Sequence, residues 1–234
     1  MAQDQSYAHP EFLTDAAWVS QHLEDVNIWM VDCDVPDQYT RAHIPGAVFM
    51  VDHYQKDPDT NRVHILGPQA FASLMESLGI GDDTLVVGYD NSRGIYATRL
   101  WWALNYYGHT NVKVMNGGWR QWLSQGLPIT TTQSQPPTGA KFTPQVNASL
   151  MVTTDQLMED YQKDDVVVWD VRSRGEYTGE ATRGNQRTGH IAGAAHLEWL
   201  NLVDDDTHLL KPAAEMRRLL ESHGITPDKR IEAH

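Results

Sequence analysis

Gly79-Ile-Gly-Asp-Asp-Thr-Leu-Val-Val-Gly-Tyr89 and Gly224-Ile-Thr-Pro-Asp-Lys-Arg-Ile-Glu-Ala-His234 follow one plan. Each opens on a Gly-Ile pair that closes a helical pattern. Each then places an aspartate at the same offset (Asp83, Asp228) and runs through a short strand toward a loop. The first copy continues into Asp90-Asn-Ser-Arg-Gly94, and the second reaches His234, which aligns with Tyr89. Ligand crevices in open α/β sheets lie outside the carboxyl ends of the strands, so both strands point at a candidate site.

Moving outward, the elements recur in one order. Spacing predicts a helix over 13–25 capped by Thr14, with Trp18, Val19 and Leu23 on one face. Ile28-Trp-Met-Val31 reads as a buried parallel strand that ends at Asp32-Cys33-Asp34. Ala42-His-Ile-Pro-Gly-Ala47 is a turn into a second short strand over 48–51, and a loop follows over 52–67. Helices are expected over 68–78, 96–107 and 119–125, and strands over 85–89 and 112–115. Gly108 ends the second of these helices as a left-handed cap. Residues 128–147, rich in Pro, Thr, Gln and Ser, read as a linker.

The order then restarts. Thr154 caps a helix, Val166-Val-Val-Trp169 is a buried strand ended by Asp170, and Gly189-His-Ile-Ala-Gly-Ala194 repeats the earlier turn. A helix over 213–222 follows. The separation of His43 from Tyr89 matches that of His190 from His234 to within two residues. A repeat of this size divides the chain into a first domain over 1–130, a linker over 131–150 and a second domain over 151–234. Alternating strands and helices of these lengths make each an α/β domain with a mostly parallel central sheet flanked by helices.

The net charge of −13 argues against nucleic acid and anionic membrane as partners. No apolar run approaches the ~20 residues of a membrane span. Met1-Ala-Gln-Asp-Gln-Ser-Tyr7 has neither the basic nor the apolar region of a signal peptide. One cysteine, Cys33, leaves no intramolecular disulfide to form, which fits a cytoplasmic setting. The eleven histidines form no ligand-spaced cluster, so neither a metal nor another cofactor is expected.

Asp170-Val-Arg172, Glu176-Tyr177 and Gly189-His-Ile-Ala-Gly-Ala194, in this order and spacing, resemble the signature of rhodanese domains. Two such domains joined by a linker resemble the tandem thiosulfate sulfurtransferases, over residues ~12 to 234. The resemblance implies a cysteine nucleophile on the loop after the strand that ends at His234. That cysteine would take the outer sulfur of a donor and pass it to cyanide or another thiophile. A thiolate there needs backbone N–H groups and basic neighbours. The nucleophile is therefore expected immediately after His234, outside these residues, with the second domain cut short before its last helix and strand. A selenocysteine codon read as a stop, a truncated sequence or product, and a chain that has lost its nucleophile are the alternatives.

The remaining candidates divide by position. Cys33 reads as a small core residue. Asp90 stands where a nucleophile would stand in the first copy, and a carboxylate cannot hold sulfane sulfur, so that domain reads as structural. His43 and His190 belong to the turn and are expected to be hydrogen-bonded there. Arg187 and Trp199 are expected to bind the sulfur donor, the first because the thiosulfate dianion needs a cationic donor, the second as wall of an apolar pocket. Asp170 and Arg172 are expected to support the active-site loop, Arg172 through an ion pair. The function expected is sulfur transfer between a small-molecule donor and a thiophile, with a non-catalytic binding module as the alternative. Self-association through the incomplete second domain is the one macromolecular contact expected.

Overall fold

A computed structural model describes residues 7–50 and 65–234. The expected signal-free start over 1–6, and residues 51–64 with most of the expected loop, lie outside the described residues. The chain divides into two compact units, Ala8–Leu150 with Asp206–Leu209, and Met151–Asp205 with Leu210–His234.

In the first unit the order is β1 (Leu13–Thr14), α1 (Ala16–Gln21), β2 (Ile28–Asp32), α2 (Pro36–Arg41) and β3 (Val48–Phe49). It continues with α3 (Pro68–Ser77), β4 (Leu85–Tyr89), α4 (Ile95–Tyr106), β5 (Val112–Met115) and α5 (Gly118–Ser124). The strands form a parallel sheet in the order β1-β5-β4-β2-β3. Strand side chains alternate between faces, so each face has its own core. Val31, Cys33, Val86 and Val114 pack against Phe71 and Met75 of α3 and Leu100 and Leu104 of α4. Met30, Val87 and Tyr89 pack against Ala16 and Val19 of α1 and Trp122 of α5.

The second unit runs α6 (Thr154–Asp160), β6 (Val166–Asp170), α7 (Arg174–Thr178), β7 (Ala195–His196), α8 (Ala213–Ser222) and β8 (Arg230–Ala233). Among the described residues its sheet is parallel, in the order β7-β6-β8. The two registers match. Asp32 stands opposite Phe49 and Asp170 opposite His196. The Cys33 amide donates to the Tyr89 carbonyl at 2.9 Å, and the Val171 amide to that of His234 at 3.1 Å. Trp169 and Ile231 are half-buried where their counterparts Val31 and Val86 are fully buried.

Several boundaries differ from the periodicity. Residues 13–14 are not helical, because their backbone pairs with Val114 and Met115 in the sheet. The helix starts later, where the Asp15 carboxylate accepts the Trp18 amide at 2.7 Å, and ends at Gln21. The cap of α6 is Thr153, which forms a capping box with Gln156. Helices α2 and α7 escape a periodicity reading because they are short. Their start signals are nonetheless present, Pro36 at the first turn and the Ser173-x-x-Glu176 pair.

Residues 131–150, read from composition as a linker, are strapped to the first unit. Phe142 is buried beside Phe71, and its amide donates to Glu76 Oε1 at 3.1 Å. Thr143 donates to Asp82 through both its amide (2.6 Å) and its hydroxyl (2.8 Å). The Gln145 and Asn147 amides donate to the Tyr107 and Tyr106 carbonyls. One aromatic residue and a row of backbone donors suffice to hold a polar segment that has no periodicity of its own. Among the described residues no helix is long and apolar enough to cross a membrane. Phe142→Ala should lower the stability of the first unit by about 3–4 kcal/mol, the cost of emptying an aromatic site in a packed core. Urea denaturation followed by tryptophan fluorescence measures it, and a loss below about 1 kcal/mol would mean that the strap contributes no core packing.

Candidate functional site

At the carboxyl edge of the second sheet, Asp170 ends the central strand and is buried completely. Its partner is Arg172, two residues on. Arg172 Nε donates to Oδ1 at 3.0 Å, Nη2 to Oδ2 at 2.5 Å and the Arg172 amide to Oδ1 at 3.0 Å. Nη2 also donates to the Gly189 carbonyl at 2.9 Å. One guanidinium therefore ties the strand end to the start of the His-Ile-Ala-Gly turn. The planar fork of arginine meets both carboxylate oxygens, which a lysine could not do. From β8, His234 brings Nε2 to 3.5 Å from Asp170 Oδ2.

The charges follow from these contacts. Burial pushes the Asp170 carboxyl up, but the Arg172 hydrogen bonds and the charges of His234 and Arg172 outweigh it, and the group titrates below the ordinary carboxylate range. His234 titrates below its ordinary value, chiefly because burial disfavours the imidazolium.

Beneath this lies an aromatic stack. Tyr177 of α7 stacks on His190 at 3.7 Å and on His196 at 4.4 Å between ring centroids. His190 Nδ1 bonds the Tyr177 carbonyl at 2.8 Å, and His196 Nε2 bonds the Arg172 carbonyl at 2.9 Å. The first unit builds the same stack from His43, Tyr39 and Phe49, with His43 Nδ1 on the Tyr39 carbonyl at 2.7 Å. His43 is fully buried, whereas His190 is exposed. Tyr39 and His196 were not singled out by sequence reasoning, and Tyr177 entered only as part of the signature motif. The signal was present, since Tyr39 and Tyr177 stand at matching distances from the Asp that ends each strand.

The structure brings Asp170, Arg172 and His234 together. Trp199 is half-buried, and its amide donates to the Val171 carbonyl at 3.1 Å, which sets it beside the strand end. Arg187 lies outside this cluster on an exposed loop, two residues before Gly189.

The first unit shows what the loop after the matching strand can do. Asp90 is buried, and its carboxylate accepts four backbone N–H groups: Ser92 at 2.7 Å and Gly94 at 2.8 Å on Oδ1, Tyr96 at 3.0 Å and Ala97 at 2.9 Å on Oδ2. Residues 90–97 are therefore an anion cradle at the start of α4, and the anion is a side chain of the chain itself. The loop turns through Gly94 at φ +88°. Gly118 is required alongside it, since a Cβ there would stand 2.0 Å from the Asp90 carbonyl. Burial pushes the Asp90 carboxyl up, against these N–H groups.

Asp32 and Asp34 complete a buried acidic cluster. Asp34 occupies the place of Arg172 and accepts the Asn91 amide at 2.8 Å. Asp32 accepts the Asp34 amide at 2.9 Å and the hydroxyl of Tyr89, and burial pushes it up to about 7. Cys33 is fully buried, and burial pushes its thiol well above the ordinary range, with Asp90 and Asp32 adding to the effect. A thiol so placed is core, not nucleophile.

Residues 15–125 match the rhodanese-like domain family. The chain is 38% identical to the sulfur carrier protein TtuD of Thermus thermophilus over 96% of its length and 82% of that protein. It is 31% identical to the thiosulfate sulfurtransferase of Bos taurus, over 94% and 72% of the two chains. Among solved structures it superposes on SseA from Escherichia coli, described as a 3-mercaptopyruvate sulfotransferase, with a TM-score of 0.84 at 26% identity. That match covers 95% of this chain and 87% of the other.

Two outcomes follow. Arg172→Ala should destabilise the second unit by about 2–3 kcal/mol at pH 7, the lower side of the range for a broken buried pair because Arg172 is 27% exposed. The folded Asp170 carboxyl is the stronger acid, so this contribution is complete above about pH 5 and is lost as pH falls below about 4. Denaturation at pH 7 and pH 3 checks both; an equal loss at the two values would refute the ion-pair account. For Asp32 the sign reverses. Between about pH 4 and pH 7 the folded state keeps a proton that the unfolded state releases, so stability falls as pH rises. Asp32→Asn should remove that slope, a difference on the order of 2–4 kcal/mol across the window. Parallel pH profiles for the two proteins would contradict it.

Proposed function

The chain belongs to the rhodanese sulfurtransferase family, and on that premise we propose that it serves the transfer of sulfane sulfur from thiosulfate to a thiophile such as cyanide, through a persulfide on the second domain. In this reading the first domain, over 1–130, is structural, residues 131–150 connect, and the second domain over 151–234 carries the site. The observation that carries the reading is the Asp90 cradle. It is a loop of main-chain donors closed on an anion, at the end of the strand whose counterpart ends at His234. Main-chain donors are indifferent to side-chain identity, so the same loop after β8 would stabilise a thiolate or persulfide as well as a carboxylate.

The chemistry is two displacements. A thiolate attacks the outer sulfur of thiosulfate, the S–S bond breaks and sulfite leaves. Cyanide then attacks the persulfide sulfur, giving thiocyanate and the thiolate again. The residues described serve this by position. Asp170 and Arg172 hold the strand end against the turn. Arg187 supplies a cation to the incoming dianion, and Trp199 lines the apolar side of its approach. The nucleophile belongs to the position following His234. We place the protein in the cytoplasm, where reducing conditions suit a chain with a single buried thiol.

The polypeptide of these 234 residues, mixed with thiosulfate and cyanide, should form no thiocyanate above the buffer rate. Turnover that disappears in Cys33→Ser would overturn the reading of Cys33 as core and of the first domain as structural. The same polypeptide should still bind thiosulfate. Backbone amide signals near Gly189 and Trp199 should shift on titration, and Arg187→Ala should weaken the response about tenfold or more, the worth of one charge-assisted contact. A spectrum that thiosulfate leaves unchanged would rule out this donor site.

A further inference from the structure

The first unit has a cavity that neither the cradle nor the sulfur chemistry uses. It measures about 680 Å³, within the range of small-molecule sites, and opens at the carboxyl edge of the sheet. Its walls come from elements that follow three different strands: Arg41 at the end of α2 after β2, Asn91 after β4, and Trp119, Arg120 and Leu123 in and around α5 after β5. Crevices over the ends of several parallel strands are where α/β sheets bind ligands.

The lining is specific in its chemistry. Most of it is carbon, with Trp119, Leu123 and Ile129 facing the space, and Leu123 and Ile129 are left 49% and 53% exposed. Beside the neutral polar groups of Gln38, Asn91 and Ser124, its charged groups are two arginines, both exposed, and among the described residues neither the Arg41 nor the Arg120 side chain has an ion-pair or hydrogen-bond partner. The chain has 31 acidic and 18 basic residues. In so acidic a protein, two unpaired guanidinium groups beside one apolar hollow are a local reversal of charge. Asp90, next to the lining residue Asn91, is turned inward onto its own loop amides.

We propose that this cavity binds a small organic anion with an apolar body, an aryl or alkyl carboxylate or sulfonate. The guanidinium forks would take its charged end, and Trp119, Leu123 and Ile129 its hydrocarbon. An inorganic anion would leave the apolar wall unused, and a neutral ligand would leave the arginines unused. Asp90 fills the neighbouring cradle, and the lining hydroxyl of Ser124 donates to the Gln121 carbonyl at 3.0 Å, so the site is one for binding without turnover. It lies entirely in the first unit and does not depend on the sulfur-transfer reading.

Benzenesulfonate is the probe, titrated into the isotopically labelled 234-residue chain and followed by backbone and indole NMR signals. Benzyl alcohol and sodium sulfate at matched ionic strength are the controls. Saturable shifts at Asn91, Trp119 and Arg120 are expected with benzenesulfonate, with at least about tenfold weaker responses to either control. The Arg41→Ala/Arg120→Ala double variant should weaken binding at least about tenfold. Ile129→Asp, at an exposed position, should do the same by placing a like charge in the apolar wall. Unchanged signals elsewhere show that both variants stay folded. No saturable shift, an equal response to benzyl alcohol, shifts confined to residues 170–199, or unaltered binding in both variants would each overturn the proposal.

Discussion

A carboxylate buried at the end of a central parallel strand has to be satisfied where it stands, because water does not reach it. Asp32 and Asp170 occupy that place in the two units, each on a strand paired with the one that ends at Tyr89 or beside His234. What differs is the partner. Asp170 has Arg172, an ion pair that holds its charge, with His234 Nε2 at 3.5 Å. Asp32 has the Tyr89 hydroxyl and the Asp34 amide, neutral donors that compensate burial only in part. One position two residues downstream, Asp34 or Arg172, separates a strand end that keeps its negative charge from one that gives it up near neutrality.

The rest of each carboxyl edge follows from that choice. Arg172 reaches beyond Asp170 to the Gly189 carbonyl and so fixes the turn that carries His190. In the first unit Asp34 instead accepts the Asn91 amide and so fixes the loop that carries Asp90. The stacks of histidine on tyrosine beneath both edges are nearly the same, at 3.7 Å in each unit. They form a common foundation on which the two strand ends diverge. His196 in place of Phe49 adds one bond, to the Arg172 carbonyl, which couples the stack to the ion pair only in the second unit.

The cradle around Asp90 shows how a loop of main-chain donors can close on a side chain of its own chain. Four main-chain donors converge because the loop turns through Gly94 into α4, and the side chain they hold is secondary to that path. A carboxylate fills the space, rigidifies the loop and closes it to outside anions. The neighbouring cavity, lined by Arg41 and Arg120, is left as the open part of the same edge.

The repeat, the parallel α/β class, most strand positions and the family were legible in the sequence. They rest on local patterns: apolar runs of strand length, Gly-Ala turns, and the order in which these recur. Cys33 as core was legible for the same reason, since its neighbours Met30 and Val31 already mark a buried strand. What the sequence did not reveal depends on contacts between distant residues. Leu13 and Thr14 look helical until Val114 and Met115 claim their backbone. Phe142 looks like linker until it reaches the core beside Phe71. Asp32 and Asp170 look equivalent in sequence, each a strand's last residue. Only the tertiary structure set one among neutral donors and acids and the other against an arginine and a histidine, because burial and partner, not residue type, decide where a carboxyl titrates.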